Sequence, residues 1–239
     1  MPKRPAKTYF ETSRGLANSF LFILPLLALY EAGMCLANSK VRNAAEDAVK
    51  TPLLIFGKNG ALIFNLLVVI GAVAAIVVAR RRRELNVSIF LPMFLESLLY
   101  ALVLGRVVLV LLRLFDPGLV SMAASLDVVT SALLAVGAGV YEEIVFRLIL
   151  LTALFLVLTR VLEVPEAWAS AVSILAAAAI FSLMHYVGGE MSRTFNTGGF
   201  LFRFVAGLVL SAIYIFRGLG IAVYTHALYD LMIYILPGV

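Results

Sequence analysis

In a tract otherwise made almost entirely of Leu, Val, Ala and Ile stands Tyr141-Glu142-Glu143-Ile144-Val145-Phe146-Arg147. An ionisable side chain inside a membrane span costs about 2.5–3.5 kcal/mol on insertion scales, so each one needs a partner or a task. Glu143 and Arg147 are four apart and can pair on one helix face. Glu142 points about 100° away from Glu143, so Arg147 is not placed to neutralise both. The pair by itself suits an intrahelical salt bridge that glues a bundle. The second carboxylate also suits a general base, which takes a proton from water when a peptide bond is to be hydrolysed.

The chain contains two histidines, and both fall in apolar runs. His185 closes Phe181-Ser182-Leu183-Met184-His185, where Phe181 lies one turn earlier on the same face. His226 opens His226-Ala227-Leu228-Tyr229-Asp230, where Asp230 lies one turn later and can accept from one ring nitrogen, fixing which nitrogen faces a site. A carboxylate base with two imidazoles can hydrolyse a peptide bond if the imidazoles hold the oxyanion or protonate the leaving amine. Glu142, His185 and His226 are also an adequate ligand set for zinc with water in the fourth position. No His-Glu-x-x-His pair is present to favour the metal.

These residues need a membrane to be buried in. Of 239 residues, 63% are hydrophobic and 14% charged, with a mean hydropathy of +1.04. The predicted fold is all-α: a polytopic transmembrane helical bundle of seven or eight spans. Apolar runs near the roughly 20 residues that cross a hydrocarbon core occur at Gly15–Leu36, Ala61–Ala79, Ser88–Leu111, Val128–Leu162, Trp168–Val187, Gly199–Phe216 and Leu219–Leu236. As one helix the Val128–Leu162 tract would be about 52 Å long, which leaves both counts open. Gly137 and Gly139 mark either a bend in it or a place where another backbone comes close.

The net charge of +5 comes from short basic clusters beside apolar runs. That is a topology signal and not a nucleic-acid surface. Lys3, Arg4, Lys7 and Arg14 before the first span and Arg80–Arg83 after the second place both in the cytoplasm. The Asp116–Asp127 loop, with Pro117-Gly118 and no Lys or Arg, suits an outside turn. The organisation expected is a basic cytoplasmic N-terminus (1–14), three N-terminal spans (15–127) and a catalytic core (128–239) in one integrated domain. The lone Cys35 is expected to be a packing residue, Arg203 and Arg217 interfacial anchors, and Glu96 part of a structural pair. The loop from Gly188 to Gly198 reads as a connector.

Glu142-Glu143-x-x-x-Arg147, Phe181-x-x-x-His185 and His226-x-x-x-Asp230, in that order on successive late spans, resemble the CPBP family. This is the CAAX-protease and bacteriocin-processing group of intramembrane endopeptidases, which includes the Ras-converting CAAX endopeptidase. The resemblance covers about Val128–Leu236. It implies that Glu142 activates water, that Glu143 and Arg147 support it, and that His185 and His226 stabilise the oxyanion. Asp230 stands where the family often has Asn. It further implies no required cofactor, with zinc held by Glu142, His185 and His226 as the alternative. The implied partners are the lipid bilayer and a membrane-anchored protein or peptide cut near a terminus; the short length and the basic N-terminus fit a bacterial cytoplasmic membrane. Two other readings compete: a non-catalytic immunity or scaffold relative, and a transporter with an ionisable relay.

Overall fold

The structure is a computed structural model that describes residues 8–37, 44–81, 85–115, 127–186 and 195–235. Lys3, Arg4, Lys7, Arg82, Arg83, the Pro117-Gly118 turn and most of the Gly188–Gly198 loop lie outside the described residues.

Every described element is helical. A short α1 (Tyr9–Ser13) leads into α2 (Leu16–Ala37). Next come α3 (Ala44–Lys50), a 3-10 stretch (Thr51–Asn59), α4 (Gly60–Arg81) and α5 (Phe90–Phe115). The second half holds α6 (Val128–Glu142), a π-helical stretch (Glu143–Leu151), α7 (Thr152–Arg160), α8 (Glu166–Met184), α9 (Thr197–Arg217) and α10 (Leu219–Ile235). Among the described residues, four helical segments are long and apolar enough to cross a membrane: Leu16–Ala37, Val87–Val108, Glu166–Met184 and Thr197–Arg217. Two shorter apolar stretches, Leu66–Val78 and Leu219–Ile233, accompany them.

The Val128–Leu162 tract does not bend at its glycines. Asp127 caps it by accepting from the Thr130 amide at 2.9 Å, and the helix then runs on to Arg160. Its irregularity comes later, where i→i+5 bonding replaces i→i+4 from Glu143 to Leu151. The glycines serve close approach. A Cβ on Gly139 would stand 2.7 Å from the Ala227 backbone nitrogen and 2.9 Å from its Cα, so only glycine lets α6 and α10 meet so tightly. A Cβ on Gly137 would overlap the Tyr30 ring of α2. Helix α6 is thus wedged between α10 and α2.

Helices α8 and α9 pack in the same manner, and a Cβ on Gly207 would stand 3.2 Å from the Ala178 Cα. Chain reversal from α9 to α10 occurs at Gly218, whose φ of +90° suits glycine. The N-terminal segment docks on this reversal. Arg14 donates to the Ile215 carbonyl at 3.0 Å, and Arg217 donates to Ser13 Oγ at 3.1 Å and pairs with Glu96 at 2.5 Å.

Arg217 is therefore not an interfacial anchor. It is 6% exposed, and its guanidinium lies over the Phe10 ring at 4.3 Å. Arg203 is likewise buried, donating to Tyr186 Oη at 3.1 Å and to the Gly199 carbonyl at 3.0 Å. Both arginines sit at helix ends, where the long side chain turns inward to aromatic rings and oxygen acceptors instead of outward. Cys35 is exposed, so it is not the packing residue expected.

Candidate active site

Glu142 ends α6 and Glu143 opens the π-helical stretch, so the two carboxylates occupy the point where helix geometry changes. Glu143 is fully buried, and Arg147 is 1% exposed. Arg147 Nη1 lies 3.0 Å from Glu143 Oε1, the pairing that the four-residue spacing implies. The guanidinium also donates to the Gly207 carbonyl of α9 at 3.3 Å and lies 4.5 Å from the centre of the Phe181 ring. An arginine held by a carboxylate, a carbonyl and an aromatic face joins α6, α8 and α9 around one charge.

Helix α10 brings His226 to these carboxylates through the Gly139–Ala227 contact. Its Nδ1 lies 2.6 Å from Glu143 Oε1, a charge-assisted bond between groups 83 positions apart. The Nε2 atom lies 3.7 Å from Glu142 Oε2 and 3.5 Å from Asp230 Oδ2. Asp230 thus reaches its imidazole, as the spacing suggests, but the direct bond at Nδ1 comes from Glu143. Tyr229 stacks on the imidazole with ring planes 9° apart and centroids 5.2 Å apart.

His185 stands just beyond the end of α8, its Nδ1 2.9 Å from the Phe181 carbonyl. With one nitrogen held by that carbonyl, the other is left for the site. His185 and His226 both meet the Phe181 ring edge-on, at 5.1 and 6.2 Å between centroids. One phenylalanine therefore walls two imidazoles and lies beneath the guanidinium. Glu142, Asp230 and Arg203 all lie within electrostatic reach of His185.

The six residues singled out by type and spacing thus converge from α6, the π-helical stretch, α8 and α10. Spacing alone did not reveal the Gly207 carbonyl, the Tyr229 stack or the Glu143–His226 bond. Among the described residues, no group of three or more His, Cys, Asp and Glu side chains is arranged as a metal site.

Residues 124–232 match the family model described as type II CAAX prenyl endopeptidase Rce1-like. That stretch, just under half of the chain, is similar to the Rce1-like family. It contains all six site residues and every element that positions them except α2, α3 and α5. No curated protein and no solved structure matches the chain. The Rce1-like match and the long apolar helices identify an integral membrane protein, and the match supports a CAAX-protease-like peptidase.

Proposed function

We propose that the chain is an intramembrane endopeptidase that hydrolyses a peptide bond near a terminus of a membrane-anchored protein or peptide. The observation that carries this reading is the convergence of Glu142, Glu143 and His226, buried and within 3.7 Å of one another through the imidazole. A carboxylate base beside an oriented imidazole is what peptide hydrolysis needs, and both lie within the residues 124–232 that match the Rce1-like model.

Glu142 is the base. Its carboxylate takes a proton from water, the hydroxide oxygen adds to the scissile carbonyl carbon, and the carbonyl oxygen becomes an oxyanion. His226 faces that charge with a ring N–H donor held in orientation by Glu143, and His185 does so in its protonated form, because its Nδ1–H is taken by the Phe181 carbonyl. As the C–N bond breaks, the proton on Glu142 passes to the leaving amine. Arg147 fixes Glu143 and so acts through it. The chemistry is metal-free and needs no cofactor.

The bundle makes seven or eight crossings in a bacterial cytoplasmic membrane, with the basic N-terminus cytoplasmic. A continuous helix from Val128 to Arg160 favours seven, because it uses that tract once. Comparison of protein termini across the host proteome, wild type against Glu142→Gln at matched expression, tests the reading. Termini lost in the variant identify the substrate. Identical profiles would mean that the domain is a non-catalytic relative.

A further inference from the structure

A second, partly buried polar cluster lies on the face of α6 turned away from His226. Tyr141, 1% exposed, donates its hydroxyl to Glu31 of α2. Lys50 of α3 bridges Glu31 at 2.8 Å and Glu46 at 2.7 Å, and Tyr30 donates to Glu46. The Lys50 ammonium stands 5.3 Å from the centre of the Tyr141 ring and 4.9 Å from that of Phe64. Glu46 is buried, while the Glu31 and Lys50 side chains are 25% and 18% exposed, and a buried carboxylate is costly unless it is paired.

The cluster holds the residue immediately before the candidate base. Tyr141 and Gly137, one turn apart, key α6 against Tyr30, while Gly139 keys it against Ala227 of α10. A carboxylate oxygen about 6 Å from a helix axis moves by about 2 Å for each 20° of helix rotation. That would be enough to break the 2.6 Å Glu143–His226 bond. Regular bonding downstream cannot fix this rotation, because the π-helical stretch begins at Glu143 itself. Beside the downstream hold that Arg147 has on Glu143, the Gly207 carbonyl and the Phe181 ring, the orientation has an upstream support where the tyrosine–carboxylate–lysine cluster sits.

We infer that Tyr141, held by Glu31, Lys50 and Glu46, is a positioning residue that sets the rotational register of α6 so that Glu142 and Glu143 face His226. The inference rests on the endopeptidase reading for its kinetic consequence but not for its structural one. Tyr141→Phe keeps the ring and removes only the bond to Glu31. In full-length protein in lipid nanodiscs, acting on a substrate peptide taken from the terminal profile, this variant should lose about ten-fold in kcat with KM within about two-fold. Lys50→Met should reproduce the fall, and Lys50→Arg, which keeps a cation between the carboxylates, should restore most of it.

The two-histidine composition supplies a readout independent of proteolysis. In protein labelled with 15N-histidine, the low-field proton of the His226–Glu143 bond should shift or broaden in Tyr141→Phe and Lys50→Met and return in Lys50→Arg. A purely structural cluster would lower the yield or Tm of these variants, while kcat per folded molecule and the His226 signal stayed at wild-type values; that result overturns the inference. If the wild type cleaves nothing, the endopeptidase reading fails and the His226 signal alone decides the role of Tyr141.

Discussion

Glu143 Oε1 lies 2.6 Å from His226 Nδ1 and 3.0 Å from Arg147 Nη1, so one buried oxygen serves an imidazole and a guanidinium on different helices. Asp230, by contrast, stands 3.5 Å from the other imidazole nitrogen, with its side chain 15% exposed. The two acids should therefore differ in what their amides do. Asp230→Asn should keep activity within about ten-fold, since Asn still offers an acceptor. Glu143→Gln should lose at least a further ten-fold, because it weakens a charge-assisted bond that orients the ring. Initial rates of the purified variants, normalised to folded protein, check the order.

Arg147 has a different failure. Its removal strands a fully buried carboxylate, a loss of about 3–5 kcal/mol for a buried pair. Arg147→Ala should reduce the membrane yield of folded protein as well as activity. Size-exclusion profiles in mild detergent and thermal unfolding against Glu142→Gln, which should fold like the wild type, separate the two effects.

Gly139→Ala should push α10 away from α6. The added Cβ would meet the Ala227 backbone at 2.7 Å, and overpacking of this kind costs about 1–3 kcal/mol. Activity should fall further than stability, because the displaced helix carries His226. Ala227→Gly in the same chain should not restore it, since the obstructing nitrogen belongs to the backbone. Tm and kcat measured on the single and double variants settle the point.

Metal chelation should leave hydrolysis unchanged. Dialysis against 1,10-phenanthroline, followed by assay with and without added zinc, checks this. Loss of activity on dialysis and its return with zinc would assign Glu142, His185 and His226 to a metal instead of to water activation.

The site was legible because charge in an apolar run stands out: Glu142, Glu143, Arg147, His185, His226 and Asp230 all drew attention by being expensive where they are. The Glu143–Arg147 contact was legible as well, since local spacing determines it. The bond from Glu143 to His226 was not. It joins two helices through a glycine contact, and no periodicity within either helix encodes which face of one meets the other. Glu31 carried the same signal as Glu142, an acid within an apolar span, yet without a visible partner nearby it had no meaning. Its partners are Lys50, on α3, a seven-residue helix that reads as part of a connector, and Tyr141 on α6. Arg203 and Arg217 misled for the opposite reason. A basic residue at the end of a span usually reaches for water, and only the neighbouring rings and Glu96 show that these two turn inward.

The π-helical stretch leaves the two halves of the Val128–Arg160 helix out of phase, by the angle that one inserted residue produces, about 100°. Such an insertion lies a single codon away from an ordinary hydrophobic span. Deleting one residue between Glu143 and Leu151 would yield a more regular helix of nearly the same composition, yet the Glu142–Glu143 pair and Arg147 would no longer address the same neighbours. The part of this chain that a generic membrane anchor cannot replace is therefore a matter of helical phase as much as of residue type.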